Sequence, residues 1–182
     1  MKLKPKGFVV FLILLSLSCK DNNKTEINAV EKTEEKTSKT NKLIFEIDLK
    51  TSESDDFSLF LNDIFLNNSQ FMNISIKSKL NSNETEKILN FEFPEGIKPD
   101  RQMFLALGTK KEKEVQINRI TISYGEIEHV ITEGNLLQYF TMNKYVEYNS
   151  ETKTLITKSV DNRHNPIIFV RPKILDSFQD LN

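Results

Sequence analysis

The stretch VQINRITISYGEIEHVIT, residues 115–132, decides the fold class because apolar and polar side chains alternate along it. A period of two residues is typical of a half-buried β-strand. The apolar parity slips between Ile117 and Ile120, and one extra residue at that point predicts a β-bulge. Gly125 then indicates a turn, so the stretch predicts a bulged strand that continues into a second strand through a hairpin.

The same alternation recurs along most of the chain and predicts about nine or ten short strands. Another hairpin is expected around residues 149–152. Residues 133–142 break the pattern and are interpreted as a loop with one helical turn around residues 136–139. Short strands at this spacing are typical of a sandwich or jelly roll. We therefore expect an all-β fold, a single antiparallel β-sandwich over residues 43–175, with residues 176–182 as a C-terminal tail.

The composition excludes several classes of protein. The 182 residues include no Trp, one Cys, two His and five Gly. A single Cys excludes an intramolecular disulfide framework and a Cys-rich zinc site, and five scattered Gly exclude Walker-type and dinucleotide-binding loops. From residue 43 onward the chain carries 16 basic and 21 acidic residues without a basic cluster, so we expect no nucleic-acid partner.

The N-terminus has the layout of a secretory signal. Residues 1–6 carry three Lys and no acid, residues 8–15 are all apolar, and the small Ser18 precedes Cys19. The apolar run is about half of the roughly 20 residues that a membrane-spanning helix needs. We therefore expect residues 1–18 to be a signal peptide that is cleaved.

Cys19, the only Cys in the chain, lies where the apolar run ends and the polar sequence KDNN begins. This arrangement resembles the signal of bacterial lipoproteins of the Bacteroidota type. The resemblance implies lipid attachment at Cys19, which would anchor the protein to the outer membrane of the cell envelope, on its periplasmic or surface face. An ordinary signal peptide with a chance Cys is the alternative.

Residues 19–42 have the composition of a flexible tether between this anchor and the folded domain. They contain no aromatic residue, and Ile27 and Val30 are their only aliphatic side chains larger than Ala. Such a segment cannot bury enough apolar surface to offset the entropy lost on ordering. We expect a lipidated Cys followed by a polar spacer.

The domain also resembles a known family. The segments SESDDFSLFL (52–61), LNFEFPEGIKPDRQMFLAL (89–107), VQINRITISYG (115–125) and DNRHNPIIFVRP (161–172) are similar in order and texture to discoidin-like, galactose-binding-like β-sandwich modules. Uncharacterised Bacteroidota lipoproteins and membrane glycosyltransferases carry such modules. The resemblance covers residues 43–175 and implies a binding or accessory role.

Five residues are candidates for ligand binding because they lie in segments that break the strand pattern. Aromatic rings can stack on the apolar face of a sugar, while Arg, His and acidic side chains can form hydrogen bonds with its hydroxyl groups. The alternative is that the rings belong to the core and that the polar residues serve a turn. The five candidates are Tyr139, Phe140, Asp161, Arg163 and His164.

Other polar positions carry weaker expectations. Asp55 and Asp56 could supply oxygen ligands to a structural Ca²⁺, as modules of the resembling family often do, and a solvated loop is the alternative. Residues 110–114, KKEKE, are interpreted as a charged hairpin tip that favours solubility. His129 alternates with apolar residues on a strand and is interpreted as an edge or exposed side chain. No other metal or cofactor is expected.

These features predict a membrane-anchored envelope lipoprotein whose β-sandwich binds a partner without catalysis, with a glycan as the candidate ligand. No Gly-x-Ser-x-Gly motif presents a nucleophile, and we expect no catalytic residues and a monomeric domain. One alternative is a module that contacts another envelope protein or has a structural role. The other is a glycan hydrolase.

Overall fold

The computed structural model describes residues 41–66, 70–81, 86–99 and 102–178. The predicted signal peptide, Cys19 and the tether as far as residue 40 lie outside these residues, as do residues 179–182 of the predicted tail. The described elements, in chain order, are β1 (Leu43–Thr51), β2 (Asp56–Leu66), β3 (Gln70–Lys79), β4 (Glu86–Glu92), β5 (Gln102–Ala106), β6 (Glu114–Tyr124), β7 (Ile127–Thr132), α1 (Leu136–Tyr139), β8 (Phe140–Met142), β9 (Val146–Asn149), β10 (Thr154–Thr157), β11 (Ile167–Val170) and α2 (Pro172–Asp176).

The strands form two antiparallel sheets. The first sheet has the order β4-β1-β6-β10-β9, and β7 also pairs with β6. The second sheet has the order β3-β2-β5-β11-β8. All described pairings between strands of either sheet are antiparallel. This arrangement confirms the predicted all-β sandwich.

One hydrophobic core lies between the two sheets. The strands of the first sheet direct one parity of their side chains inward, as in β1, where every second residue from Leu43 to Leu49 is buried. The second sheet contributes Phe57, Leu59 and Leu105 from its own inner face. Because both inner faces belong to a single cluster of buried apolar side chains, burial of that cluster provides the main driving force for folding.

The predicted bulge is confirmed at Asn118. Asp48 of β1 pairs with Arg119 of β6, whereas the next residue, Leu49, pairs with Ile117. Asn118 is therefore the extra residue, and its Nδ2 donates a hydrogen bond to Asp48 Oδ1 at 3.2 Å. The bulge keeps Ile117 and Ile120 on the same buried face although three positions separate them.

Both predicted hairpins are also present, one joining β6 to β7 and the other joining β9 to β10. The segment 133–142 contains the predicted helical turn as α1. It also contains the short strand β8, which pattern analysis missed. β8 has only three residues, which is too short for alternation to show, and it is defined by its pairing with β11.

The interpretation of residues 110–114 as a hairpin tip is wrong. The segment between β5 and β6 crosses from the second sheet to the first, because β5 pairs with β2 and β11 while β6 pairs with β1, β7 and β10. Lys113 in this crossover is 4% exposed. One charge of the segment is therefore part of the packed structure at one end of the sandwich, while the other four residues of the segment stay exposed.

The core continues past the expected boundary at residue 175. Helix α2 buries Ile174 and Leu175, and Phe178 beyond it is 1% exposed. The Phe178 ring meets the His129 ring edge-to-face at 5.2 Å, and His129 Nε2 lies 2.6 Å from Ser177 Oγ. His129 is thus on a strand at the edge of the described sheet, but it is a half-buried contact for the C-terminal segment and not an exposed side chain.

Candidate functional site

The outer face of the second sheet carries a row of three Phe side chains. Phe60 on β2 pairs in register with Phe104 on β5, and Phe104 pairs with Phe169 on β11. The Phe60 and Phe104 rings are stacked, with centroids 4.8 Å apart and planes 9° from parallel. The Phe169 ring follows at 5.6 Å and 45° and is 38% exposed. We call these three residues the Phe row.

The outer face of the first sheet is different. At outward positions on three adjacent strands it carries Glu46, Asn90 and Thr121, which pair in register with one another. The exposed apolar residues of this face, Ile88 and Val130, are aliphatic, so among the described residues a row of aromatic rings lies on the outer face of one sheet only. The core does not require this asymmetry, since side chains on an outer face contribute no burial between the sheets. The second sheet is therefore the face on which to seek a site.

A groove of about 490 Å³ runs beside the Phe row, within the size range of small-molecule sites. Its floor is the next row of the sheet, where Ser58 on β2 pairs with Ala106 on β5, and Ala106 pairs with Ile167 on β11. Ser58 and Ala106 are small, so they leave a depression between the taller Phe rings and the loop after β5. The residues that line the groove are Asp55, Asp56, Ser58, Phe60, Lys77, Phe104, Ala106, Gly108, Thr109, Lys110, Asn165 and Ile167.

One wall of the groove is held by a buried carboxylate. Asp55 is 1% exposed and accepts hydrogen bonds from the backbone N–H of Asp56 at 2.7 Å and of Lys110 at 3.0 Å. It also forms an ion pair with Lys113, whose side chain is 0% exposed. These bonds join the loop between β1 and β2 to the crossover between β5 and β6, so they position the loop segment that forms this wall.

The charge state of Asp55 follows from these contacts. Burial by itself raises the pKa of the Asp55 carboxyl because it penalises the charged form. The Lys113 ammonium and the two backbone N–H groups outweigh burial and hold the pKa of Asp55 below its usual value. The carboxylate is therefore ionised at neutral pH and is compensated by Lys113.

Gly108 is required where the crossover passes over this carboxylate. Its φ is +86°, a conformation that favours glycine, and a Cβ atom there would lie 2.2 Å from Asp55 Cγ. Any side chain at this position would collide with the carboxylate. On the outer side of the same wall, Lys110 Nζ lies 2.8 Å from Asp56 Oδ2.

The arrangement does not fit the calcium site considered for Asp55 and Asp56. Calcium takes six to eight oxygen ligands, whereas here each carboxylate faces a lysine ammonium group, Lys113 for Asp55 and Lys110 for Asp56. Across the described parts of the chain, no three His, Cys, Asp or Glu side chains come together in a way that could hold a metal ion.

The candidates Tyr139 and Phe140 do not form a binding surface. Phe140 is 0% exposed and belongs to the core, so its ring cannot stack on a ligand. Tyr139 packs against the core, and Lys173 Nζ lies 5.2 Å from the centroid of its ring. Phe140 pairs with Val170, the last residue of β11, whereas residues 161–164 come before the first residue of that strand. Tyr139 and Phe140 therefore lie at the opposite end of β11 from the other three candidates.

The candidates Asp161, Arg163 and His164 belong to a tight turn. Val160 and Arg163 exchange backbone hydrogen bonds, and Asp161 has a φ of 53°, as a two-residue hairpin turn requires. Asp161 Oδ2 lies 3.4 Å from Lys144 Nζ on the surface. His164 Nδ1 donates to the Thr109 carbonyl oxygen at 3.2 Å, so this is the one of the three candidates that contacts a residue lining the groove.

No family model matches the chain, and no curated protein or solved structure matches it either. Neither α1 nor α2, the two helices of the described residues, has the length and apolar character to cross a membrane.

Proposed function

We propose that this chain is a non-catalytic saccharide-binding module that a lipid on Cys19 holds at the cell envelope, with the groove beside the Phe row as its binding site. The observation that carries the proposal is the stacked pair of Phe60 and Phe104 along a groove whose other lining groups are largely polar. This combination sits on a rigid sheet, which suits recognition with little loss of conformational entropy.

The groove matches the amphipathic surface of a sugar. A pyranose presents C–H groups on its faces and hydroxyl groups around its edge. Phe104, Ala106 and Ile167 offer apolar contacts for the former, while Ser58 and Asn165 offer hydrogen-bonding groups for the latter. The volume of about 490 Å³ leaves room for a short saccharide.

The carboxylates of the groove support binding rather than hydrolysis. A general acid or base needs a carboxyl group that can exchange a proton with the substrate near neutral pH. Asp55 is buried against Lys113 with a lowered pKa, and Asp56 is in an ion pair with Lys110. Both are engaged in holding the loops of the groove wall.

The anchor is supported by the sequence around Cys19, a lone Cys at the end of a short apolar run. We expect Cys19→Ser to abolish labelling by radioactive palmitate and to move the protein from the membrane fraction to the soluble fraction. Equal palmitate incorporation by the wild-type protein and by Cys19→Ser would contradict the anchor while leaving the binding site in place.

The binding proposal is tested by calorimetric titration of the full-length protein in detergent with a panel of envelope and extracellular oligosaccharides. Phe104→Ala removes the central ring and is expected to lower affinity at least tenfold for any saccharide that the wild-type protein binds. Ile88→Ala is the matched control, because Ile88 is an exposed apolar residue of the first sheet, 53% exposed. It should leave affinity unchanged.

A second variant keeps the binding test valid if Phe104→Ala does not fold. Ala106→Trp fills the floor of the groove without removing a ring, and it is expected to block binding while the circular dichroism spectrum keeps its β-sheet form. Binding that survives both variants would place the ligand elsewhere. Absence of binding to every saccharide, together with capture of a protein that Phe104→Ala fails to capture, would favour a protein-interaction module.

A further inference from the structure

We infer that the saccharide bound by the groove is acidic and carries carboxylate groups, as an oligomer of uronic acids does. The inference rests on the proposed function, since it specifies the ligand class of the same groove. It follows from the charged side chains around the groove.

The outer face of the second sheet is basic around the groove. Lys77 lines the groove and pairs in register with Ser58, and Lys79 pairs with Asp56 two positions further along β3. Asp56 is already in an ion pair with Lys110. Among the described residues, neither Lys77 nor Lys79 has an acidic partner within ion-pair distance, so two ammonium groups are left uncompensated beside the groove.

This basic face belongs to an acidic domain. Residues 43–182 carry 16 basic and 21 acidic side chains. On the outer face of the first sheet, Glu46 forms an ion pair with Arg119 and Glu92 forms one with Lys42. These two acids are compensated where they lie, whereas Lys77 and Lys79 beside the groove have no acidic partner within ion-pair distance among the described residues. The uncompensated positive charge lies where the groove and the Phe row lie, which indicates that the ligand brings the negative charge.

The position of Lys77 suits a carboxylate on a sugar ring. A ring lying on Ser58 and Ala106, against the edges of the Phe rings, would direct one edge toward β3, where Lys77 lies one strand away from Ser58. An ammonium group is a compact charge on a flexible stem, so it can follow a carboxylate over a range of ring orientations. We expect Lys77 to make the main charge contact and Lys79 to add a weaker one.

The test compares acidic oligosaccharides with neutral copies of the same chains. Oligomers of galacturonate, mannuronate and glucuronate are titrated into the full-length protein in detergent, alongside carboxyl-reduced forms in which each carboxylate has become a CH₂OH group. At least one acidic oligomer should bind about fivefold more tightly than its reduced form, the effect of one exposed charge pair. The difference should shrink in 0.5 M NaCl, because salt screens exposed charges.

Variants locate the effect. In Lys77→Gln the affinities for the acidic and the reduced oligomer should converge, whereas Phe104→Ala should weaken binding of both forms. Lys50→Gln, on the opposite sheet, is the control for general charge and should preserve the fivefold difference.

Each of the other outcomes is decisive. Equal affinity for acidic and reduced oligomers, with loss of both in Phe104→Ala, would overturn the acidic ligand and leave the saccharide-binding function standing. No binding of any of these oligomers, with binding of another saccharide from the wider panel, would overturn the acidic ligand alone, and no binding of any saccharide would overturn both. Binding to vesicles containing phosphatidylglycerol, lost in Lys77→Gln and Phe104→Ala, without binding to any saccharide, would identify the face as a membrane contact and overturn the acidic saccharide.

Discussion

Asp55 and Lys113 form an ion pair that is almost completely removed from solvent, although they lie 58 positions apart in the sequence. The pair joins two loops at one end of the sandwich, and it supports the wall of the groove through the backbone of Lys110. A buried carboxylate and a buried ammonium group are each costly alone, so each depends on the other.

Removing only the ammonium group should therefore be severe. We expect Lys113→Met to lower the free energy of unfolding by about 3–5 kcal/mol, because Asp55 would remain buried without a counter-charge. The double variant Asp55→Leu with Lys113→Met should recover a large part of the loss. Urea denaturation followed by circular dichroism measures both values, and a loss below about 1 kcal/mol for Lys113→Met would show that the pair is hydrated.

Acid should weaken the same pair. The folded pKa of Asp55 lies below its usual value, so between the folded pKa and the unfolded value near 3.9 the unfolded chain binds more protons than the folded one. The stability that this carboxylate contributes is therefore present above about pH 5 and is lost as the pH falls below about 4.

Asp55→Asn is the reference variant for this prediction, because it cannot titrate. The gap in unfolding free energy between the wild-type protein and Asp55→Asn should narrow between about pH 5 and pH 3. A gap that stays constant over this range would mean that Asp55 has an ordinary pKa in the folded state.

Gly108 and Gly96 offer a matched pair for testing the close approach to Asp55. Both have positive φ, +86° and +81°, but a Cβ at Gly96 meets nothing within 4 Å, whereas at Gly108 it would lie 2.2 Å from Asp55 Cγ. Gly96→Ala should cost about 1–2 kcal/mol of stability from backbone strain alone. Gly108→Ala should cost distinctly more, and equal melting temperatures for the two variants would contradict this account.

The C-terminal boundary can be tested by truncation. A chain that ends at residue 175 loses Phe178, which is buried against Tyr124 and His129, and should lose about 3–5 kcal/mol of stability. A chain that ends at residue 178 keeps this contact, and its free energy of unfolding should be close to that of the full-length protein. Equal stability of the two truncated chains would show that the core ends before Phe178.

The fold was predictable because the first sheet obeys a simple rule. In β1, LIFEIDLKT, one parity faces the core and the other faces water, so hydrophobicity alternates and shows both the strand and its buried face. The bulge at Asn118 was visible for the same reason, as a slip in that alternation. Elements without a usable period, such as the three-residue β8 and the five-residue α2, left no comparable pattern.

The site was not predicted, although the sequence holds a trace of it. The segments FSLFL in β2, MFLA in β5 and IIFV in β11 carry apolar residues at both parities, which marks Phe60, Phe104 and Phe169 as outward-facing once the sheet is known. From sequence alone, this pattern is also that of a strand buried on both faces. A strand buried on both faces and a strand with an outward aromatic row differ only in whether another layer covers the outer face. Among the described residues, Phe169 on that face is exposed.

The Asp55–Lys113 pair left no local trace at all. Each residue lies in a short charged segment that resembles any solvated loop, and their contact depends on how the crossover between β5 and β6 folds over the loop between β1 and β2. Tyr139 and Phe140 are candidates from the sequence because they interrupt the strand pattern. The interruption is a helical turn that directs Phe140 into the core.

The most direct test of the binding site is chemical-shift mapping by NMR with an oligosaccharide that the protein binds. We predict that the largest amide and aromatic shifts on titration arise at Ser58, Lys77, Phe104 and Ala106, around the groove. Shifts confined to residues 161–164 or to the outer face of the first sheet would contradict it, because the ligand would then occupy a surface without the Phe row.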